Sequence, residues 1–185
     1  MPEPDEHTDL KPSPAHELIE VDDELMHDIE ELVRSKSDFL LLNIIQDLYP
    51  ADIAHIMNRL ENEHAEYVFG LLPNDVASDT LLSLDQVHRE HLLKKLDRTR
   101  LQEIVREMAS DDAADIVGEL PKEEAEEILG TMGVQESSRV EELLHYDEST
   151  AGGFMAKEIA VVNYRDPLKK AIREVRQFAK DHKNV

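Results

Sequence analysis

The chain has 185 residues, 41% of them hydrophobic and only 4% aromatic, with no Trp and no Cys, so an aliphatic core is possible while disulfides and thiolate metal sites are excluded. A formal net charge of -22 opposes phosphate backbones and anionic membrane surfaces, so no nucleic-acid partner is expected. No apolar run approaches the roughly 20 residues that cross a bilayer, and no basic-then-apolar stretch marks a secretion signal.

Residues 1–16 carry Pro2, Pro4, Pro12 and Pro14 among charges, which predicts a disordered tail. From Glu17 to Val33 the spacing of Leu18, Val21, Leu25, Ile29 and Leu32 predicts a helix. Ser37-Asp38 are placed to cap a following helix that carries Phe39 to Ile45.

A period of twelve then takes over. Leu48, Leu60, Leu72, Leu84, Leu96, Met108, Leu120, Met132 and Leu144 fall twelve apart, with no polar residue at any step. Within each unit the fifth, eighth and ninth positions are mostly apolar too, as in Ile53, Ile56 and Met57 or Leu101, Ile104 and Val105. Arg89, Ser137, Thr80 and Glu141 are the exceptions. Positions five, eight, nine and twelve form one stripe of an α-helix. Each unit is thus about two helical turns and a connection, at about 3.6 residues per turn. So short a helix is unstable alone and must stack on its neighbours. The expected fold is all-α: a right-handed superhelix of short antiparallel helices over residues 17–145.

Helix-start chemistry recurs at the connections. Pro50, Pro73 and Pro121 sit where a first helical residue would fall, a position that tolerates a missing N–H. Ser110 is placed to be an N-cap, with Asp111 and Asp112 at the positive end of the helix dipole. The last unit, with Gly133, Ser137 and Glu141, is degraded as terminal repeats are.

Positions three and seven lie i, i+4 apart on a helix edge away from the stripe. In three units both are acidic: Asp75/Asp79, Asp111/Asp115 and Glu123/Glu127. Like charges at that spacing cost a few tenths of a kcal/mol, so their recurrence suggests a cation such as Mg²⁺, which takes oxygen ligands and often needs only one or two carboxylates. A solvated acidic face is the bland alternative. His88 and His91 are i, i+3 and lack the His-Glu-x-x-His arrangement of zinc hydrolases. There is no phosphate-cradling glycine loop and no nucleophile–base motif, so no enzymatic activity is expected.

After Leu144 the texture changes. Tyr146 to Met155 contains Gly152-Gly153, suited to a turn or close packing. Ile159 to Val162 reads as a strand, and Asp166-Pro167 starts an amphipathic helix through Leu168, Ala171, Ile172 and Val175. Residues 157–185 hold 8 basic and 4 acidic residues, against the acidic trend of the rest. A lone strand cannot satisfy its own hydrogen bonds, so residues 146–185 are expected to be a junction and part of a larger domain.

Together these residues resemble the cytoplasmic part of the MgtE family of magnesium transporters. Leu71-Leu72-Pro73, Met108 to Ala114 and Glu119-Leu120-Pro121 look like that family's superhelical N domain. Tyr146 to Met155 looks like its junction into paired CBS domains, with Ala156 where the family usually has Thr, and Val161 to Val175 looks like a first CBS strand and helix. The resemblance implies a cytoplasmic Mg²⁺-sensing regulatory domain, at the inner face of the bacterial inner membrane, that gates the pore of a multi-pass transporter. Its partners would be the CBS domains and transmembrane pore of the same protein, a homodimer at full length, with the chain alone a soluble monomer. Mg²⁺ would bind weakly, shared with the CBS region. Asp79, Asp111 and Asp115 match positions where the family places metal-binding carboxylates. The rival reading is a helical-repeat interaction scaffold similar to flagellar motor switch proteins, which share Glu-His (here Glu63-His64) and Leu-Pro steps; the Ala-Gly-Gly-Phe-Met junction argues against it.

Overall fold

Two turns of helix bury too little to hold themselves, and the chain answers by repeating one helix in a fixed register. A computed structural model describes residues 21–147 and 150–181. Among them are eleven helices and no strand: α1 (Asp23–Arg34), α2 (Asp38–Ile45), α3 (Pro50–Met57), α4 (Asn62–Leu71), α5 (Asn74–Ser83), α6 (Gln86–Lys95), α7 (Arg98–Arg106), α8 (Ser110–Gly118), α9 (Lys122–Thr131), α10 (Val134–Leu143) and α11 (Leu168–Asp181). From α2 to α10 the first residues are twelve apart every time. The repeat therefore opens at Asp38, one unit earlier than the leucine ladder from Leu48 indicates.

The stripe faces inward. Ile104, Ile116 and Ile128 are 0%, 1% and 4% exposed, and Met57, Phe69, Leu81 and Val117 are buried with them. Stacking joins helices two apart: α3 on α5, α5 on α7, α4 on α6, and α8 on α10. Consecutive helices touch as well, with α7 on α8 joining the two stacks. Position twelve sits in the connection, buried at Leu60, Leu72 and Leu84 but only half-buried at Leu48, Leu96, Met108, Leu120 and Met132.

Of the polar exceptions Arg89 has a tertiary ion pair, whereas Thr80 is buried with no hydrogen-bond partner for its hydroxyl among the described residues. Arg89 stands at an apolar position and reaches Glu119 at 2.8 Å. Arg98 holds Glu124 at 2.9 Å and Glu127 at 2.8 Å, so ion pairs bind α6 and α7 to α9 and its preceding connection. His88 lies between Asp85 Oδ1 and the Leu60 carbonyl, each at 3.0 Å, and His91 pairs with Glu66 at 3.2 Å. Both histidines fasten neighbouring units and are not placed as a zinc pair. At the final unit Glu141 points to solvent while Val140 and Leu143 remain buried.

Several helix starts differ from the sequence reading. Within the described residues α1 begins at Asp23, not Glu17, because Asp22 caps it by accepting from the Leu25 N–H at 2.8 Å. Pro50 is the first residue of α3, whereas Pro73 and Pro121 fall one residue earlier, at the N-cap. Asp85 and Asp97 cap α6 and α7. Ser37 precedes α2 without capping it; its hydroxyl is shared with Ser35. The expected tail over residues 1–16 lies outside the described residues.

Near the end, α11 follows Pro167 as expected. Ile159 to Val162 is not a strand: it is chain without secondary structure, and a strand exists only when a neighbour takes up its N–H and C=O groups. Gly152 owes its place to close packing. A Cβ there would lie 2.4 Å from Tyr146 Cδ1, so the aromatic ring lies on the glycine backbone. Among the described residues no helix is long and apolar enough to cross a membrane.

Ile104→Ala should cost about 2–5 kcal/mol, since the buried methyl groups it removes leave a cavity between stacked helices. Urea unfolding measures this; a loss under about 0.5 kcal/mol would place Ile104 at the surface.

Candidate functional site

The register that buries Ile104 and Ile116 also fixes which edge of each helix carries charge. Asp79 lies in α5, and Asp111, Asp112 and Asp115 lie in α8, two helices linked through the α5–α7 and α7–α8 contacts. The carboxyl of Asp112 is pushed up to about 6, first by desolvation and then by the charges of Asp111, Asp115, Asp79 and Glu158. Asp79 is also raised, by burial and by Asp75 one turn earlier. The structure thus brings all three expected residues, Asp79, Asp111 and Asp115, onto one mutually repelling face centred on Asp112.

Glu123/Glu127 behaves differently. Arg98 engages Glu127 and the adjacent Glu124, so that pair is part of the ionic clasp between α7 and α9. Only two of the three acidic pairs, Asp75/Asp79 and Asp111/Asp115, include carboxylates whose charge acts on this face.

The start of α8 shows how the face is held. Ala109 occupies the N-cap and offers no side-chain acceptor. Ser110 is the first helical residue, not the cap its sequence context indicates. Its backbone N–H and hydroxyl both donate to Glu158 Oε2, at 3.3 and 2.9 Å. In return Ser110 Oγ accepts the Lys157 N–H at 3.1 Å. Arg139 of α10 donates to Glu158 Oε1 at 3.3 Å, and the Glu158 side chain is only 8% exposed. Burial alone would raise its carboxyl, but the two Ser110 hydrogen bonds and Arg139 hold it below the usual range. A residue 48 positions away thus supplies the anion that a helix N-terminus favours.

Asp112 and Glu158 were absent from the sequence-derived site. A signal for Asp112 was present, as the third acid beside Asp111 and Asp115; Glu158 had none, because its role depends on the chain folding back.

Chemically the face offers a cluster of hard carboxylate oxygens. Asp111 Oδ1 is buried with no hydrogen-bond partner, which suits a site that takes up positive charge. Yet among the described residues no group of three or more His, Asp or Glu is arranged to hold a metal. The residues fit Mg²⁺ as one side of a shared shell, where one or two carboxylates and several waters suffice.

Asp112→Asn should stabilise the protein at pH 7 and leave it nearly unchanged at pH 4. Its folded pKa lies above its ordinary 3.8, so its favourable contribution is complete below about 3.8 and is lost as pH rises through about 6. Melting curves of both proteins from pH 4 to 7 test this. A difference that does not grow with pH would mean that Asp112 is not crowded by its neighbours.

Comparison with known proteins places this geometry. The model of the MgtE intracellular N domain matches residues 48–149, more than half of the chain. No curated protein matches. One similar solved structure is the soluble part of a magnesium transporter, with TM-score 0.70 and 18% identity over 85% of this chain, which speaks for the fold alone. Another is the cytosolic domain of the Mg²⁺ channel MgtE in complex with ATP, with TM-score 0.76 and 26% identity over 86% of this chain. The chain spans 62% and 66% of the lengths of those two proteins.

Proposed function

The chain belongs to the MgtE intracellular N-domain family, and from that premise we propose that it is the Mg²⁺-responsive regulatory part of a magnesium transporter, sensing the cation at the α5–α8 acidic face. The observation that carries the reading is Asp112, whose carboxyl is pushed up to about 6, first by desolvation and then by four other acidic groups. A face under such repulsion has a free-energy reason to accept a cation and to avoid a second acidic surface when none is present.

On this reading residues 146–185 are a junction and the beginning of a CBS region, with α11 as its first helix, and the partners are the CBS domains and membrane pore of the same polypeptide. The complete protein is a homodimer whose N domain lies on the cytoplasmic side of the membrane. Bound Mg²⁺ supplies positive charge between two acidic surfaces. Asp79, Asp111 and Asp115 hold one side of it, while Asp112 adds negative charge and Glu158 with Ser110 keeps the N-terminus of α8 in place. The shift toward closure can be no larger than the preference of the cation for the closed arrangement.

Asp111→Asn with Asp115→Asn should therefore flatten the dependence of domain closure on Mg²⁺ in the full-length protein. Protease protection, followed as Mg²⁺ rises at constant ionic strength, separates binding from general screening. A tenfold or larger rise in the midpoint is expected; an unchanged midpoint and amplitude would reduce the face to solvated charge.

A further inference from the structure

We infer that the N-terminal helical body extends through Glu158, and that the pivot between it and α11 is the segment 159–167 rather than the Ala151-Gly152-Gly153 junction. The glycines invite the opposite reading, since two in succession are a common hinge. The contacts around them point elsewhere.

Before the pivot the chain is tied down at the glycine turn and again at Lys157 and Glu158. Tyr146 lies against Gly152, closing the turn from both sides. Inside that turn Thr150 N–H and Gly153 N–H donate to the Asp147 and Thr150 carbonyls, at 2.9 and 3.0 Å. Lys157 then reaches two elements at once: its backbone N–H donates to Ser110 on α8, and its ammonium pairs with Glu142 on α10 at 2.7 Å. Glu158 follows, buried between Ser110 and Arg139. Three groups of two adjacent residues thus lock the chain across α8 and α10.

Among the described residues, Ile159 to Asp166 show no such tie to α8 or α10. The hydrogen bonds of Asn163, Tyr164, Arg165 and Asp166 run among themselves or into the first turn of α11. Ile159 to Val162 instead lines a gap of about 310 Å³ with Val175 and Phe178 of α11. These residues are otherwise exposed, and none of Ile159, Val161 and Val162 joins the buried core of the superhelix. The change of allegiance falls between two neighbouring residues, Glu158 and Ile159.

The placement of the pivot rests on these contacts; its use in gating rests on the proposed function. Any swing of the superhelix then carries the Ala-Gly-Gly turn and the α5–α8 acidic face as one rigid unit. Glu158 is a positioning residue: it holds the exit point of the chain at the helix end that presents Asp111, Asp112 and Asp115.

Amide hydrogen exchange at single-residue resolution tests this without Mg²⁺, so a failure of Mg²⁺ gating would leave the result standing. In the unmodified chain the Lys157 and Ser110 amides should exchange at least tenfold more slowly than those of Ala160, Val161 and Val162. Glu158→Ala should speed Lys157 at least tenfold while Val68 and Phe69 in α4 keep their protection. Ser110→Ala removes the acceptor of the Lys157 N–H without touching the carboxylate and should do the same, which guards against a folding defect specific to Glu158→Ala. Glu158→Gln keeps an acceptor oxygen for Ser110 and should retain most of the protection. Lys157 exchanging as fast as Val162 in the unmodified chain, or staying protected in both Ala variants, would move the pivot back to the glycine junction.

Discussion

Everything in this molecule depends on the inability of an eight- to ten-residue helix to stand alone. Each helix is stable only while neighbouring helices cover its stripe, for α3, for α5 to α8 and for α10 chiefly the unit two places away. The connection cannot drift in length without turning the next stripe out of the core. That requirement keeps helix starts twelve residues apart across nine successive helices. It also holds every other position in register, including the edge that carries acid. Packing thus decides where the charge goes.

The charge in turn works against the packing. Asp111, Asp112 and Asp115 lie within two turns of α8, and Asp79 and Glu158 add to them from elsewhere. At a helix N-terminus some negative charge is welcome, because the free N–H groups present a partial positive charge. Here the supply exceeds that demand, and the surplus adds to burial, the larger effect, in raising the carboxyl of Asp112. Glu158 escapes the same fate through two hydrogen bonds from Ser110 and the guanidinium of Arg139. Two carboxylates near the same helix end are shifted in opposite directions by what each can bond to.

Much of the superhelix was legible in sequence because its information is local and repeated. A stripe position recurs until chance is a poor explanation, and Ile104, Ile116 and Ile128 are buried as their register requires. The family resemblance was legible for the same reason, through the repeats and the glycine junction. What escaped is long-range. Nothing near Ser110 reveals that its cap comes from Glu158, so it reads as an ordinary capping serine. Nothing near Glu127 reveals Arg98, so the third acidic pair looks equal to the other two. Ile159 to Val162 has strand composition, but composition cannot supply the partner that a strand needs.

The central claim is that the repeat gathers carboxylates from α5 and α8 into one repelling face. Carbon-detected NMR titration of the Asp112 side chain measures this most directly. The account predicts a midpoint near pH 6 in the unmodified chain, falling when Asp79→Asn removes one of the opposing charges. A midpoint in the ordinary aspartate range near 4, indifferent to Asp79, would contradict it.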